Sequence, residues 1–502
     1  MKTDWTFSKR LCVAFVGAGI GLSCAMLLCP PSAHGQGGVP LWTNLYDGGY
    51  GDDGASGITV DASGNLFVTG HSRNSASDYD YVTIKYSTTG LPLWTNRYDG
   101  GYGDNPGITV DASGNLFVTG SSRNAASDSD GVTIKYSNAG VPLWTNIYAG
   151  PGNSDDYLGA IAVDSEGNVF VTGTSSGNYL TVAYSNAGAP LWTNLYDKGV
   201  SGDFAVALAL DNTGNLFVTG NSYGGSSDDD YATVAYSNAG VPLWTNRYNG
   251  PGNFFDDANG IAVDSNGNVL VTGWSVGSRS TGIATIKYSN AGVPLWTNRY
   301  DGPGKDDGAY AITVDSSGNV IVAGYSSGGA ATGFNFDFVT IKYSSEGALL
   351  WTRRYNSTTN SAVGRALAVD NNGNIFVTGS TSAGSSTIAY STVGAALWTN
   401  QYNGSLSKVI VDGNGNVFVT GSSSNGTDDD YVTIKYSSSL PPSAFLDFQL
   451  LNNQLVLSWT KAGFTLQSAP LASGTFTNIP GATSPYTNSM TSAQQYFRLT
   501  TP

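Results

Sequence analysis

Gly57-Ile58-Thr59-Val60-Asp61, Gly64-Asn65-Leu66-Phe67-Val68-Thr69-Gly70, Tyr81-Val82-Thr83-Ile84-Lys85-Tyr86-Ser87 and Pro92-Leu93-Trp94-Thr95-Asn96-Arg97-Tyr98 are four strand-like runs in close succession. β-Branched and aromatic residues fill them, and Asp, Ser, Gly and Asn separate them, as in an antiparallel meander. The unit then returns. Its first Asp recurs as Asp61, Asp111, Asp164, Asp211, Asp264, Asp315, Asp370 and Asp412, at steps of 50, 53, 47, 53, 51, 55 and 42 residues. A period of about fifty residues with four strands per repeat predicts the blades of a β-propeller. The expected fold is all-β: eight four-stranded antiparallel blades.

The residue types fit that geometry. Strands covered on both faces by neighbouring blades lose polar alternation, as in Leu66-Phe67-Val68 and Val169-Phe170-Val171. First strands such as Gly57-Ile58-Thr59-Val60 and Gly260-Ile261-Ala262-Val263 are small because they converge on the axis. The Trp of the fourth strand recurs as Trp42, Trp94, Trp144, Trp192, Trp244, Trp296, Trp351 and Trp398, and is read as inter-blade packing. Trp42 precedes the first repeat and no such strand follows Ser437. The ring is therefore expected to close through the N-terminal strand, Leu41 to Tyr46 completing a last blade built from residues 408 to 437.

Composition agrees. The chain has 502 residues, 66 Gly, 29 Tyr and 12% charged residues, and its only glutamates are Glu166 and Glu346. Lys2, Lys9 and Arg10, the apolar run Leu11 to Cys29 and the stretch Ala33-His34-Gly35 read as a signal peptide over residues 1–35, with an uncleaved anchor as the alternative. Cys12, Cys24 and Cys29 all fall in that segment, so the mature chain is expected to lack disulfides and thiolate metal sites. Its net charge moves from −15 to −17, a balance that disfavours nucleic acid and anionic lipid as partners.

The motif VD-x-x-GN-x-x-VTG, a strand ending KYS or AYS, and G-x-x-LWT resembles the bacterial seven-bladed β-propeller repeat family. The resemblance covers residues 41 to 437, in eight copies. It implies an exported or surface-associated protein and carries no catalytic residues; seven blades and a stray unit is the alternative it leaves open. The expected organisation is a propeller over 36–437, a linker over 438–443 around Pro441-Pro442, and a small β-sandwich over 444–502. That tail, with Trp459 and a Tyr496-Phe497-Arg498-Leu499 ending, resembles the fibronectin-like tails of exported bacterial proteins.

Chemistry is sparse. Apart from His34 of the leader, His71 is the only histidine, which excludes histidine metal clusters and a Ser-His-Asp triad that does not use it; a lone His at a tolerant position reads as a surface residue. The loop end of the ring collects 25 of the 35 Asp. Weak calcium candidates there are Asp52, Asp53, Asp155, Asp156, Asp256, Asp257, Asp306 and Asp307, although no D-x-D-x-D-G spacing occurs and turn-forming Asp is the commoner meaning. The Gly ending VTG and the Thr or equivalent opening the third-strand core are separated by 12, 12, 7, 12, 11, 15, 7 and 11 residues in blades one to eight, which sets the length of the loop between them. The two short loops would lie opposite one another and open a groove flanked by Tyr79, Tyr223, Trp274, Tyr325, Phe334 and Phe336.

The leading expectation is a secreted or cell-surface binding or scaffold module, more a binder than an enzyme. It would have no cofactor beyond calcium, no membrane span after cleavage, and an unidentified protein or polysaccharide as partner. The alternatives are a carbohydrate-active hydrolase or lyase using a carboxylate pair on the acidic face, and a calcium-dependent adhesin.

Overall fold

The computed structural model describes Val13–Ala14, residues 38–437 except 76–77, 101–105, 124–127, 153, 198–201, 225–227, 279, 305, 329–334 and 356–360, and parts of 447–500. The remainder of the expected signal peptide and the linker 438–443 lie outside the described residues. Val39–Ser438 forms one compact unit. Its eight sheets each have four antiparallel strands, as in blade one: Asp53–Val60, Leu66–Arg73, Tyr79–Tyr86 and Pro92–Tyr98. Blade eight is assembled from Ser405–Val411, Val417–Ser424 and Asp429–Tyr436, with Pro40–Tyr46 as its outer strand. Trp42 faces Lys435 and Tyr46 faces Tyr431. The inner strands touch in succession, and that of blade eight touches that of blade one. Eight blades, closed by the N-terminal strand, are thus the fold.

Each first turn is tied by its Asp. Asp61 Oδ1 accepts the backbone N–H of Ser63 and Asn65 at 3.0 and 2.8 Å, and Oδ2 accepts the Asn65 amide at 2.9 Å. The arrangement recurs at Asp111, Asp164, Asp211, Asp264, Asp315, Asp370 and Asp412. A side chain that bonds its own backbone two and four residues on nucleates the hairpin locally. Lys287 and Lys342 reach Asp264 and Asp315 at 2.9 and 2.8 Å, so these carboxylates serve the scaffold.

Blades are joined by their tryptophans. Trp94 packs between Phe67 of its own blade and Tyr136 of the next, with centroids at 5.9 and 6.2 Å, and its indole N–H donates to Asn138 O at 3.1 Å. Gly140, at φ +81°, closes the next blade's turn onto this indole; a Cβ there would meet the ring at 2.8 Å. Both positive φ and contact with the ring demand glycine. Outer strands keep one face in solvent, which leaves leucines such as Leu41, Leu93 and Leu143 exposed.

A second unit holds Ser439–Pro502 and the N-terminal residues. One sheet pairs Asp447–Leu451, Gln454–Ser458 and Tyr486–Ser489; the other pairs Val13–Ala14, Tyr496–Thr500, Thr465–Ala469 and Thr477–Asn478. Leu455, Leu457, Trp459, Leu466 and Phe497 form its core. It is a small β unit. No helix among the described residues is long and apolar enough to cross a membrane.

Candidate ligand-binding site at the channel mouth

The paired aspartates divide by register. Asp53, Asp156, Asp256 and Asp307 occupy one position, opposite Ser72, Ser175, Ser275 and Ser326, and all are buried. Each accepts the backbone N–H of the glycine leaving the preceding blade: Gly48 to Asp53 at 2.5 Å, Gly250 to Asp256 at 2.5 Å, Gly302 to Asp307 at 2.6 Å, and Gly150 to Asp156. They tie inter-blade loops, and burial raises their carboxyl pKa against these hydrogen bonds. Asp52 and Asp155 are exposed and Asp306 is half-buried.

Asp257 is different. It stands one residue later, opposite Trp274, where other blades have Gly54, Tyr157, Phe204, Gly308, Val363 and Ser405. Its carboxyl is pushed up to about 6 by burial, with Asp229 and Asp256 adding repulsion, and its Oδ1 is buried without a hydrogen-bond partner. Asp229 accepts the Asn221 amide at 3.1 Å.

Among the described residues, one group has metal-ligand spacing: oxygens of Asp47, Asp53 and Asp430 lie within 4.8 Å of one another at the junction of blades eight and one. Of the eight calcium candidates only Asp53 belongs to it. Asp80, Asp230 and Asp337, the counterparts of Asp430, pair with Arg97, Arg247 and Arg354 at 2.6, 2.9 and 2.8 Å. Blade eight has Leu45 at the arginine position, opposite Val432 as Arg97 is opposite Val82. Burial, with Asp47, Asp428 and Asp53 nearby, raises the Asp430 pKa.

Aromatic residues gather at the loop end of the inner strands. On blade six, Phe336 meets Tyr325 edge-on at 4.9 Å, Tyr325 lies 5.7 Å from Tyr310, and the Arg365 guanidinium of blade seven stands 5.4 Å from the Tyr310 ring. Tyr310 is the bulge residue of its inner strand, between Ala309 and Ala311. The series leads from the loop rim to the channel. Tyr157 and Phe204 are also exposed on this layer, 37% and 46%. His71 meets Tyr79 edge-on at 5.3 Å beneath the rim, and burial lowers its pKa against the pull of Asp53 and Asp52. Tyr223 and Trp274 lie half-buried on blades four and five; Phe334 falls outside the described residues.

The two short loops are tight hairpins, Ser175 facing Asn178 and Thr381 facing Gly384, in blades three and seven, at the same end of the ring with three blades between them on either side. Of the longer loops that would wall a groove, that of blade eight is described in full, while residues 76–77, 124–127, 225–227, 279 and 329–334 of the others fall outside the described set. Tyr310, Arg365 and the Asp430 site that Leu45 leaves without a guanidinium escaped the sequence reading; aligning the repeats by the Gly of VTG would have displayed Tyr310 and Arg365 as departures, whereas Leu45 has Ile147 and Leu195 as counterparts.

Residues 143–179, 255–278 and 350–385 match the family described as Beta-propeller repeat. No curated protein matches the chain. Among solved structures, it is similar to a streptogramin B lyase (14% identity, TM-score 0.43, covering 78% of this chain and 97% of that one) and to virginiamycin B lyase from Staphylococcus aureus (13%, 0.43, 78% and 98%). It is also similar to Sqt1 from Chaetomium thermophilum (13%, 0.41, 68% and 90%).

Proposed function

We propose that the chain is an exported binding module that takes a polysaccharide at the loop-end mouth of its channel. The single observation that carries this reading is the series Phe336, Tyr325 and Tyr310, which descends from rim to channel on one blade only among the described residues. Aromatic faces and edges suit the apolar faces of sugar rings, and a rigid sheet presents them at small entropic cost. The leader-like N-terminus supports export. The repeated carboxylates support a scaffold role for most of the acidic residues, since they are spent on turns and loop ties. A glycan array probed with the mature chain and with Tyr325→Ala and Phe336→Ala tests the reading. Binding lost in both variants, with the melting midpoint near that of the parent, is expected; binding unchanged in both rejects it.

A second reading rests on Asp257. A carboxyl pushed up to about 6 beside Asp229, without a counterpart among the described residues of the other blades, suits an acid in glycan cleavage. Release of reducing ends by the parent chain and not by Asp257→Asn supports it; no release from any polysaccharide that the chain binds removes it.

A further inference from the structure

We infer that the channel beneath the aromatic mouth is a carboxylate-binding site, formed by Arg365 and Lys408, and that the bound glycan is one whose terminal sugar carries a single carboxylate.

One inner-strand position faces the Thr of VTG or its equivalent in every blade and holds Gly57, Gly107, Ala160, Ala207, Gly260, Ala311, Ala366 and Lys408. Small residues belong there because the position abuts the next inner strand: a Cβ on Gly57 would meet Pro106 O at 3.0 Å, and one on Gly107 would meet Gly159 O at 2.5 Å. Lys408 alone is large, and its side chain is exposed. In a ring of touching inner strands, the open space available to it is the channel.

Arg365 belongs to the layer above. It is the bulge residue between Gly364 and Ala366, where other blades have Ser56, Gly159, Val206, Asn259, Tyr310 and Ser407. It is exposed, with Tyr310 as its ring partner. Blades seven and eight are neighbours, so the two cations stand on adjacent inner strands at successive depths.

Neither forms a hydrogen bond or ion pair among the described residues, in a chain of net charge −15 where Arg97, Arg247 and Arg354 each pair with a carboxylate. Burial alone lowers the Lys408 pKa; no carboxylate acts on it. Two exposed cations on adjacent inner strands, without counter-ions among the described residues, create a positive potential at the channel wall. A guanidinium offers a planar fork to a carboxylate, and an ammonium a compact second charge. The acidic exterior repels a ligand charged along its whole length, so a sugar with one terminal carboxylate fits better than a polyanion.

The inference deepens the glycan reading and rests on it for the sugar, not for the charge. Its test is calorimetric titration of the mature protein with methyl glucuronide, methyl glucoside and acetate, repeated on Lys408→Ala and Arg365→Ser. Both substitutions restore residues that other blades carry, Ala160 and Ser56 among them, so folding should survive, as a thermal melt will verify. A preference of about tenfold or more for the glucuronide over the glucoside, lost in both variants, is expected. Equal affinity for the two sugars overturns the carboxylate site and leaves the glycan reading standing. Acetate binding that both variants abolish, with no sugar bound, supports the anion site and removes the glycan. No binding of any of the three probes overturns the inference.

Discussion

The Tyr431 hydroxyl donates to the carbonyl of Val82 at 3.2 Å, joining residues 349 apart in sequence and blade eight to blade one. Tyr179 to Ala232 and Tyr231 to Ala284 repeat the bond elsewhere in the ring, so the closing junction is chemically a junction like others. Tyr431→Phe should lower the unfolding free energy by about 1 kcal/mol, read by denaturant melts. Removal of residues 36–46 bares the edge of blade eight and should produce concentration-dependent aggregation in light scattering.

Leu45→Arg supplies the guanidinium that three other blades already use. Facing Asp430, with Asp47 and Asp53 nearby, it should raise the melting midpoint, a gain of about 1 kcal/mol. The same variant decides the calcium expectation. Millimolar calcium that stabilises the parent and not Leu45→Arg would assign the ion to this triad; equal effects on both would place it elsewhere.

Asp257 makes stability depend on pH with a definite sign. Its folded pKa of about 6 exceeds the ordinary 3.8, so between those values the folded state binds more protons than the unfolded chain. Stability contributed by the protonated form is complete below pH 3.8 and is lost as pH rises through about 6. The loss is at most about 3 kcal/mol. Asp257→Asn should flatten this slope and stabilise the protein at neutral pH; a parent slope retained in the variant would assign the titration to another group.

Gly140→Ala tests the blade joint. The substitution must hold a positive φ and displace the face of Trp94, so it should cost about 1–3 kcal/mol and shift the tryptophan emission to longer wavelength. Gly159→Ala, with nothing within 4 Å of its Cβ position, is the control and should be nearly neutral.

The channel lysine gives the opposite sign from a paired cation. Its folded pKa is lowered, so the unfolded chain binds the proton more tightly and stability rises with pH toward 10.5. Lys408→Ala should remove that rise and increase the midpoint at neutral pH, in a melt without added anion. An unchanged midpoint and an unchanged pH profile would mean that water solvates the ammonium fully.

By itself the sequence determined the blade count, the closing strand and the packing role of the tryptophans. Those features recur, and a repeat whose strands alternate with Asp-Gly-Asn turns leaves few other arrangements that bury Leu66, Phe67 and Val68 on both faces. Asp61 could be read as a turn residue because its bonds run to Ser63 and Asn65, within its own neighbourhood. Only the tertiary structure separated Asp256 from Asp257, adjacent letters whose side chains point to opposite faces of one strand, one toward the Gly250 amide and the other to a partnerless burial. It alone brought Asp47 and Asp53 to Asp430, and stood Arg365 over Tyr310 at the axis. Burial and through-space charge depend on which blade lies beside which, and a strand's own letters hold no information about its neighbour across the ring.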